Sequence, residues 1–236
     1  MEKQYTIKDF LDILERLRAK DGCPWDQAQT HLSLRPCMME EAAELIASIR
    51  IYEETGNYEN MREELGDILL QVAMHSVIAK EEKLFTFDDV VDEVAKKMVF
   101  RHPHVFSNET IHSSQEQLEK WEELKKKEKE GKKWLTTPLR DIPPELPSLT
   151  RAIKISKKVD QIYHDNKTVS EDLDMLGETL ESMKSCYNKN EDVQWEMLVG
   201  KMLLVISDLA AKKKIPAEQI LNDEIEKIVQ KYEPKP

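Results

Sequence analysis

Apolar residues along the chain recur at intervals of three and four, the spacing of one face of an α-helix. In the first such stretch Phe10, Ile13, Leu14 and Leu17 share a face, and Thr6 stands where a helix N-cap is expected. The same spacing predicts helices at about 34–52, 59–83, 86–102, 114–131, 148–162, 170–188, 192–214 and 216–232. No stretch alternates apolar and polar residues as a strand would. The pattern therefore predicts an all-α fold.

The predicted helices are separated by recognisable start and stop signals. Pro36 falls in the first turn of the second helix, where proline is tolerated. GNY at 56–58 ends that helix, and the capping-box-like TFDD at 86–89 begins the fourth. We expect DGCPWDQAQTHLS (21–33) and HPHVF (102–106) to be loops.

The middle of the chain divides it into three predicted parts. Residues 114–131 form a strongly charged helical stretch, and residues 132–147 contain four prolines, which is typical of a linker or strap. A solvated connector is the simplest interpretation of that helix. We expect a first domain at 1–112, a charged helix and proline-rich linker at 113–150, and a second domain at 151–236.

Composition and charge limit the classes of function. The 236 residues are 40% hydrophobic and 34% charged, which suits a globular chain with a buried core, and only six are glycine. A net charge of −11 argues against binding to nucleic acid or to anionic membranes. Three distant cysteines, no apolar signal segment and no run of ~18 apolar residues predict a cytoplasmic protein without a membrane span.

The two halves of the chain resemble each other. MEEAAELIAS (39–48) aligns with LGETLESMKS (176–185), and REELGDILL (62–70) aligns with EMLVGKMLL (196–204). A third pair, FDDVVDEVAKKMVFR (87–101) and AEQILNDEIEKIVQK (217–231), follows in the same order. Gly66 and Gly200 fall at matched helical positions, where glycine is costly, and we expect a close helix crossing at each.

The two copies differ in their acidic residues. In this alignment Glu41 and Glu44 correspond to Glu178 and Glu181, whereas Glu64 corresponds to Leu198 and Asp67 to Lys201. The second copy therefore retains half of the acids. If the acids hold a metal ion, only the first copy has the complete set.

Two acid pairs in the first copy share one geometry. Glu41 and Glu44 lie about 60° apart on their helix, on the flank of its apolar face, and Glu64 and Asp67 have the same spacing on the next helix. Glu40 points further toward solvent. If the helices pack antiparallel, four carboxylates converge at a partly buried seam and repel each other strongly. A divalent cation would relieve that repulsion, and oxygen ligands without His or Cys favour Mg²⁺ or Mn²⁺.

A basic pair lies on the following helix. Lys97 and Arg101 are four residues apart beside the apolar face, where they would meet phosphate oxygens. Acids, a metal ion and two cations suit hydrolysis of a phosphoanhydride, with one carboxylate as general base. Each feature also has a simpler interpretation. A single ExxE pair or a basic pair usually lies on a solvated surface, and a histidine such as His75 is more often packed than a metal ligand. The Glu-x-x-His motif of di-iron bundles, the P-loop and the GxGxxG motif do not occur.

Several longer segments resemble the MazG-type nucleoside triphosphate pyrophosphohydrolases. The resemblance rests on GCPWDQAQTHLSLRP (22–36), EEAAEL (40–45), EELGDILLQV (63–72), RHPHVF (101–106), WEELK (121–125) and DIPPELPSLTRAIKI (141–155). It implies an all-α fold of tandem helical bundles, a homodimer, Mg²⁺ dependence, and hydrolysis of NTPs or dNTPs to the monophosphate and pyrophosphate. The family's EExxE…ExxD motif falls on Glu40, Glu41, Glu44, Glu64 and Asp67, and its basic pair falls on Lys97 and Arg101.

The resemblance leaves some choices open. Trp25 offers a flat indole face on which a base could stack, although an anchor for the loop is the plainer interpretation. The second copy departs from the motif at Leu198 and Lys201, which favours a role in dimerisation or regulation. A non-catalytic nucleotide-sensing module and a narrower dUTP/dCTP-type hydrolase are the alternative functions.

Overall fold

A computed structural model describes residues 4–107, 113–129, 137–165, 167–189 and 192–233. Within these ranges the ordered elements are helices, and no strand occurs. The helices are α1 (Ile7–Arg18), α2 (Pro24–Ala28), α3 (Arg35–Thr55), α4 (Glu59–Glu81), α5 (Phe87–Arg101), α6 (Pro103–Phe106), α7 (Ser114–Lys129), α8 (Ser148–Tyr163), α9 (Val169–Lys189), α10 (Asp192–Lys212) and α11 (Ala217–Tyr232). The all-α prediction is confirmed. None of these helices combines the length and the apolarity that crossing a membrane requires.

The chain divides into two compact units, Met1–Glu128 and Lys129–Pro236. The charged helix α7 thus falls with the first unit, apart from its last residue. A separate connector at 113–150 and the boundaries at 112 and 150 stay predictions.

In the first unit, α3 and α4 form the main helix pair, and α1 and α5 pack against α4. The core lies where α1 meets α4, because both helices present apolar residues at helical spacing there. Its buried members are Leu14, Leu34, Ala73, Met74, Val77 and Ile78, with Phe10, Leu11, Leu17, Leu70 and Phe87 around them. Leu34, just before α3, closes this core.

Two helices of the first unit begin at capping boxes, where the sequence predicted an N-cap at Thr6 and a capping-box-like start at 86–89. Thr6 Oγ1 accepts from the Asp9 amide at 3.2 Å, and the Thr6 amide donates to Asp9 Oδ2 at 2.9 Å. Thr86 and Asp89 repeat this exchange at 3.3 and 2.8 Å. The Thr86 hydroxyl also donates to Asp89 Oδ2 at 2.7 Å, and this bond, together with the one from the Thr86 amide, lowers the pKa of Asp89. Each box satisfies donors that a helix start leaves unpaired. At the other end of α3, Gly56 takes a left-handed conformation with φ of 73°, so the predicted break is confirmed.

The predictions of loops at 21–33 and 102–106 were wrong in part. Pro24 and Pro103 each begin a short helix, α2 and α6, because the fixed φ of proline suits a first helical position. Arg18, the last residue of α1, holds α2 in place. Its guanidinium donates to the carbonyl oxygens of Asp26 and Gln29 and forms an ion pair with Glu81 at 2.7 Å. Helices this short lack the periodic pattern on which the prediction depended.

In the second unit, α9 and α10 form the main pair, α8 packs on α10, and α11 packs on α8. The start of α8 is capped from a distance, because Glu218 Oε2 on α11 accepts from the amides of Leu149 and Thr150 at 3.1 and 3.3 Å. The buried apolar side chains of this unit are Ile142, Met183, Cys186, Val205, Ala210 and Ala211.

Burial refines how the two copies align. Along α10 the buried positions match those of α4 at the predicted shift of 134 residues. Along α9, however, the buried residues Asp172, Thr179, Met183 and Cys186 match Leu34, Glu41, Leu45 and Ser48 at a shift of 138 residues, one more than the sequence alignment used. Glu178 and Glu181 are exposed and lie one residue away from the positions of Glu41 and Glu44. By this register the second copy lacks all four acids.

The expected close helix crossings at Gly66 and Gly200 do not occur within the described residues. A Cβ atom added at either glycine would meet no atom within 4 Å, and both residues are exposed. The sequence alignment matched the two glycine positions correctly. The close helix crossing that was inferred as the reason for them does not occur between the described helices of a single chain.

Candidate active site

Three carboxylates converge where α3 packs against α4. Glu41 lies on α3, Glu64 and Asp67 lie on α4, and one oxygen of each lies within 4.8 Å of those of the other two. All three residues are half-buried. The i,i+3 spacing places Glu64 and Asp67 on one face of α4, and the packing of α3 against that face brings Glu41 to them.

The electrostatics of this cluster reflect the crowding of like charges. Burial raises the pKa of Glu41 above its ordinary value, and the charges of Asp67, Glu44, Glu64 and Glu40 raise it further, in that order. Glu64 Oε1 accepts from Asn60 Nδ2 at 2.7 Å, which fixes one of its oxygens. Sequence reasoning missed Asn60, although its position one helical turn before Glu64 is a detectable signal.

Glu40 and Glu44 lie outside the three-residue cluster and are exposed. Their positions agree with the helical angles, which placed Glu40 toward solvent and Glu44 on the flank of the apolar face. Both still act on Glu41 through their charges. The structure thus brings together three of the five predicted acids, and the roles of all five stay predictions.

The donor set fits a hard divalent cation. Carboxylate oxygens from two packed helices, with no His or Cys among them, are the ligands that Mg²⁺ and Mn²⁺ prefer. Burial and then the neighbouring carboxylates raise the pKa of Glu41, and a bound cation would relieve the repulsion between these charges. No other group of three potential ligand residues lies this close within the described ranges.

The basic residues on α5 have different surroundings. Arg101 donates from Nε and from a terminal nitrogen to Glu128 Oε2 on α7, at 2.8 and 2.5 Å, and its side chain is 12% exposed. Its guanidinium also lies 5.5 Å from the ring centre of Trp121, which Lys125 Nζ approaches at 4.8 Å. Lys97 is half-buried and has no ion-pair partner among the described residues. Sequence reasoning missed the clamp of Arg101 by Glu128, because the two residues are 27 apart in the chain.

Trp25 lies on α2 and is 62% exposed, so its indole is available as a flat surface. The backbone of α2 is held by Arg18, and the Trp25 carbonyl accepts from Gln29 Nε2 at 3.0 Å. The exposed ring does not serve as a buried anchor, which favours the stacking interpretation of this residue.

Histidines pack in pairs near this region. His31, from the segment before α3, stacks on His75 of α4 with ring centres 5.1 Å apart, and their Nδ1 atoms are 2.8 Å apart. Burial lowers the pKa of His75, and the charge of His31 lowers it further. His75 is thus a packed histidine, as the plainer interpretation held. His102 and His104 form a second pair, with ring centres 5.7 Å apart.

Comparison with known proteins places this geometry in a family. Residues 29–106 match the model described as the MazG nucleotide pyrophosphohydrolase domain. The chain is 34% identical over 231 residues to the "Nucleoside triphosphate pyrophosphohydrolase/pyrophosphatase MazG" of Thermotoga maritima, spanning 98% of this chain and 86% of that relative. The chain belongs to the MazG family.

Other MazG-family relatives agree with this assignment. The chain is 32% identical over 231 residues to the "Nucleoside triphosphate pyrophosphohydrolase" of Escherichia coli K12, spanning 96% of this chain and 85% of the relative. It is 39% identical over 157 residues to the protein of the same name in Mycolicibacterium smegmatis, spanning 66% of this chain and 46% of the relative. The MazG-domain match covers the acid cluster, Lys97 and Arg101, and it does not extend into the second unit.

Proposed function

We propose that the protein is a Mg²⁺-dependent nucleoside triphosphate pyrophosphohydrolase, which converts NTPs or dNTPs to the monophosphate and pyrophosphate. The observation that carries the proposal is the cluster of Glu41, Glu64 and Asp67, within the segment that matches the MazG domain. The names of the relatives, which describe this activity, support it. A cytoplasmic role in clearing the nucleotide pool agrees with the substrate and with three unpaired cysteines.

The chain's own residues have distinct tasks in this reaction. Glu41, Glu64 and Asp67 would hold the cation, which when bound neutralises phosphate charge and lowers the pKa of water. Asn60 keeps the Glu64 carboxylate oriented. The attacking water oxygen bonds to the α-phosphorus, the bond from that phosphorus to the bridging oxygen breaks, and pyrophosphate departs.

The proton of the attacking water needs an acceptor near the cluster. Glu44 is exposed and lies outside the group that shares close oxygens, yet its charge raises the pKa of Glu41. A carboxylate that is close to the metal ligands without being one of them is suited to be the general base. We assign that role to Glu44.

The phosphates would meet the cations of α5. Lys97 has no ion-pair partner among the described residues and can bind phosphate directly. Arg101 is held by Glu128, so a phosphate must displace that carboxylate to gain the bidentate fork of the guanidinium. Trp25 supplies an exposed ring for the base.

Exposed apolar surfaces support a homodimer. The main helix pair of the first unit exposes Met39, Ile46 and Ile49 on α3 and Leu65 and Leu69 on α4, each at 39% or more. Patches of this kind mark interaction surfaces. Gly66 lies beside Leu65 with open space above it, where a helix of a second copy could approach closely.

The test is pyrophosphate release from NTPs in the presence of Mg²⁺. Glu41→Gln should reduce kcat/KM by about 100-fold or more, since even the partners of metal ligands are worth about 10–100-fold. The control is the double variant Glu178→Gln with Glu181→Gln, which removes two exposed carboxylates from the second unit and should stay within about twofold of wild type.

Two outcomes would contradict the proposal. Equal rates for Glu41→Gln and wild type would remove the cluster from catalysis. Nucleotide binding by calorimetry without turnover, across a panel of bases and sugars, would instead indicate a non-catalytic sensing module.

A further inference from the structure

The second unit contains a cavity of about 560 Å³ between α8 and α10. One wall is apolar and consists mainly of Leu146, Ala152, Ile155, Val159 and Leu204. The rest carries charged side chains, namely Arg151, Asp160, Asp165, Lys167, Asp208 and Lys212. The volume falls within the range of about 300–1,000 Å³ that is typical of small-molecule sites.

The cavity lies where the first unit has its core. Met74 and Ile78, both buried in that core, correspond to Asp208 and Lys212 at the shift of 134 residues. Leu34, which closes the same core, corresponds by burial to Asp172. Three apolar core positions are thus charged in the second copy, and charged side chains cannot fill the interior as Leu, Met and Ile do.

The connection between helices also differs. In the first unit, residues 19–34 join α1 to α3 and include α2, whereas in the second unit only residues 164–168 join α8 to α9. At the shift of 138 residues, 31–34 correspond to 169–172 at the start of α9, so most of residues 19–30, which include α2, have no counterpart in the second unit. This absence leaves the space beside α8 open.

The cavity lining carries three carboxylates and three cations, which differ in their ion-pair partners. Lys212 is neutralised by an ion pair with Asp172, whose side chain is 1% exposed. Asp172 Oδ1 is buried and lacks a hydrogen-bond donor, whereas buried polar atoms normally have one. Asp160, Asp165 and Asp208 have no ion-pair partner among the described residues, and Lys167 contacts Met175 Sδ at 3.5 Å. Arg151 likewise has no ion-pair partner among the described residues, so the lining offers three unpaired carboxylates beside two unpaired cations, Arg151 and Lys167.

This arrangement selects among ligands. A polyanion would meet more unpaired carboxylates than unpaired cations in this lining, whereas a polycation would find the excess of carboxylates. A single metal ion does not fit, because the described residues bring no three ligand groups of this cavity as close as those of the active-site cluster. An extended molecule with separated ammonium groups and apolar segments between them matches both the carboxylates and the apolar wall.

We propose that the cavity between α8 and α10 is a binding site for an aliphatic polyamine. Ammonium groups pair with Asp160, Asp165 and Asp208, and the methylene segments lie on Ile155, Val159 and Leu204. The proposal does not depend on the catalytic assignment. It gives the second copy a site of its own, made from positions that the first copy uses for its core.

The test is isothermal titration of the full-length chain with spermidine at ~0.15 M salt, which screens weak surface attraction. Wild type should bind one spermidine per chain, and Asp160→Asn with Asp208→Asn should weaken binding by about tenfold or more. The matched control is Asp174→Asn, which removes an exposed carboxylate of α9 outside the cavity and should leave binding unchanged.

Two further measurements keep the test decisive. Diacetylputrescine, which keeps an aliphatic chain but lacks the charges, should not bind. Methyl signals of Ile155 and Val159 in the unaltered chain should shift on adding spermidine, whatever the fate of the variants. The proposal fails if those signals stay in place, if wild type binds no more tightly than the double Asn variant, or if Asp174→Asn weakens binding equally.

Discussion

The two units place their charges in opposite locations on a similar helical frame. The first keeps an apolar core around Met74 and Ile78 and gathers carboxylates where α3 meets α4. The second has Asp208 and Lys212 at the core positions and Leu198 and Lys201 where Glu64 and Asp67 would be. A helical frame therefore does not dictate where charge lies, and the location of the charges distinguishes the copy that we propose to be catalytic from the other.

At a third pair of positions the first copy is polar and the second copy is apolar. His31 and His75 stack in the first unit, whereas the matched positions of the second unit hold Val169 and Leu209. Each copy thus tolerates polar groups where the other is apolar. In the first unit the two histidines contact each other, and in the second unit Asp172 pairs with Lys212.

The largest expected effect concerns the buried ion pair of the second unit. Asp172→Leu alone should lower the free energy of unfolding by about 3–5 kcal/mol, because it leaves Lys212 without its counter-charge. Adding Lys212→Ile, which restores the residues of the first copy, should bring stability back to the wild-type level or above. Urea unfolding with amide exchange along α10 measures both.

The double variant also controls for the change in side-chain size, because it carries the same leucine as the single variant. If it is as unstable as Asp172→Leu alone, then the first copy's residues do not fit this frame, and the correspondence of Leu34 with Asp172 is mistaken.

A smaller effect concerns Arg101, whose counterpart in the second unit is Lys231. Lys231 lies 5.3 Å from the ring centre of its neighbour Tyr232, whereas Arg101 is clamped by Glu128. Glu128→Gln removes the competing charge, so KM for NTPs should fall roughly threefold or more while kcat changes little. Steady-state pyrophosphate release measures both constants.

Glu123→Gln is the matched control, because Glu123 lies on the same helix and pairs with exposed Lys127 at 2.7 Å. A similar fall in KM for this variant would mean that the net charge of α7 is responsible and that the clamp on Arg101 is not.

The smallest effect is a pH dependence that only the first unit should show. Because the folded pKa of His75 lies below its ordinary value of 6.5, the unfolded chain binds more protons. This contribution to stability is therefore complete above pH 6.5 and is lost as the pH falls toward the folded pKa. His31→Val with His75→Leu introduces the residues of the second copy. It should reduce the pH dependence of the free energy of unfolding by an amount equivalent to less than one bound proton.

Glu82 is a charged group beside this pair, with Oε2 3.7 Å from His31 Nε2. The control is His164→Asn, an exposed histidine whose φ of 52° asparagine tolerates. If the pH dependence of stability is unchanged in the double variant, or is reduced equally in the control, then it arises from other groups.

Much of this fold was predictable from sequence, because helical spacing, Thr6, Thr86 and Gly56 act over one or two turns. The convergence of Glu41 with the ExxD pair was also foreseeable, since two flanking acid pairs imply a shared seam.

Contacts distant in sequence were not predictable in this way. The clamp of Arg101 by Glu128 spans 27 residues and leaves no periodic trace. The register of α9 was misjudged by one residue because acids, rather than buried positions, guided the alignment. Only burial showed that Asp172 occupies the place of Leu34.

The cap on α8 has a consequence for synthesis of the chain. Glu218 leaves the ribosome 69 residues after Leu149, whose amide it accepts. The first helix of the second unit therefore cannot complete its start until the last one has been made, whereas Thr6 and Asp9 complete α1 within a single turn. During translation the first unit can mature while α8 waits, so a stall before α11 would expose the second unit, and not the first, to proteolysis.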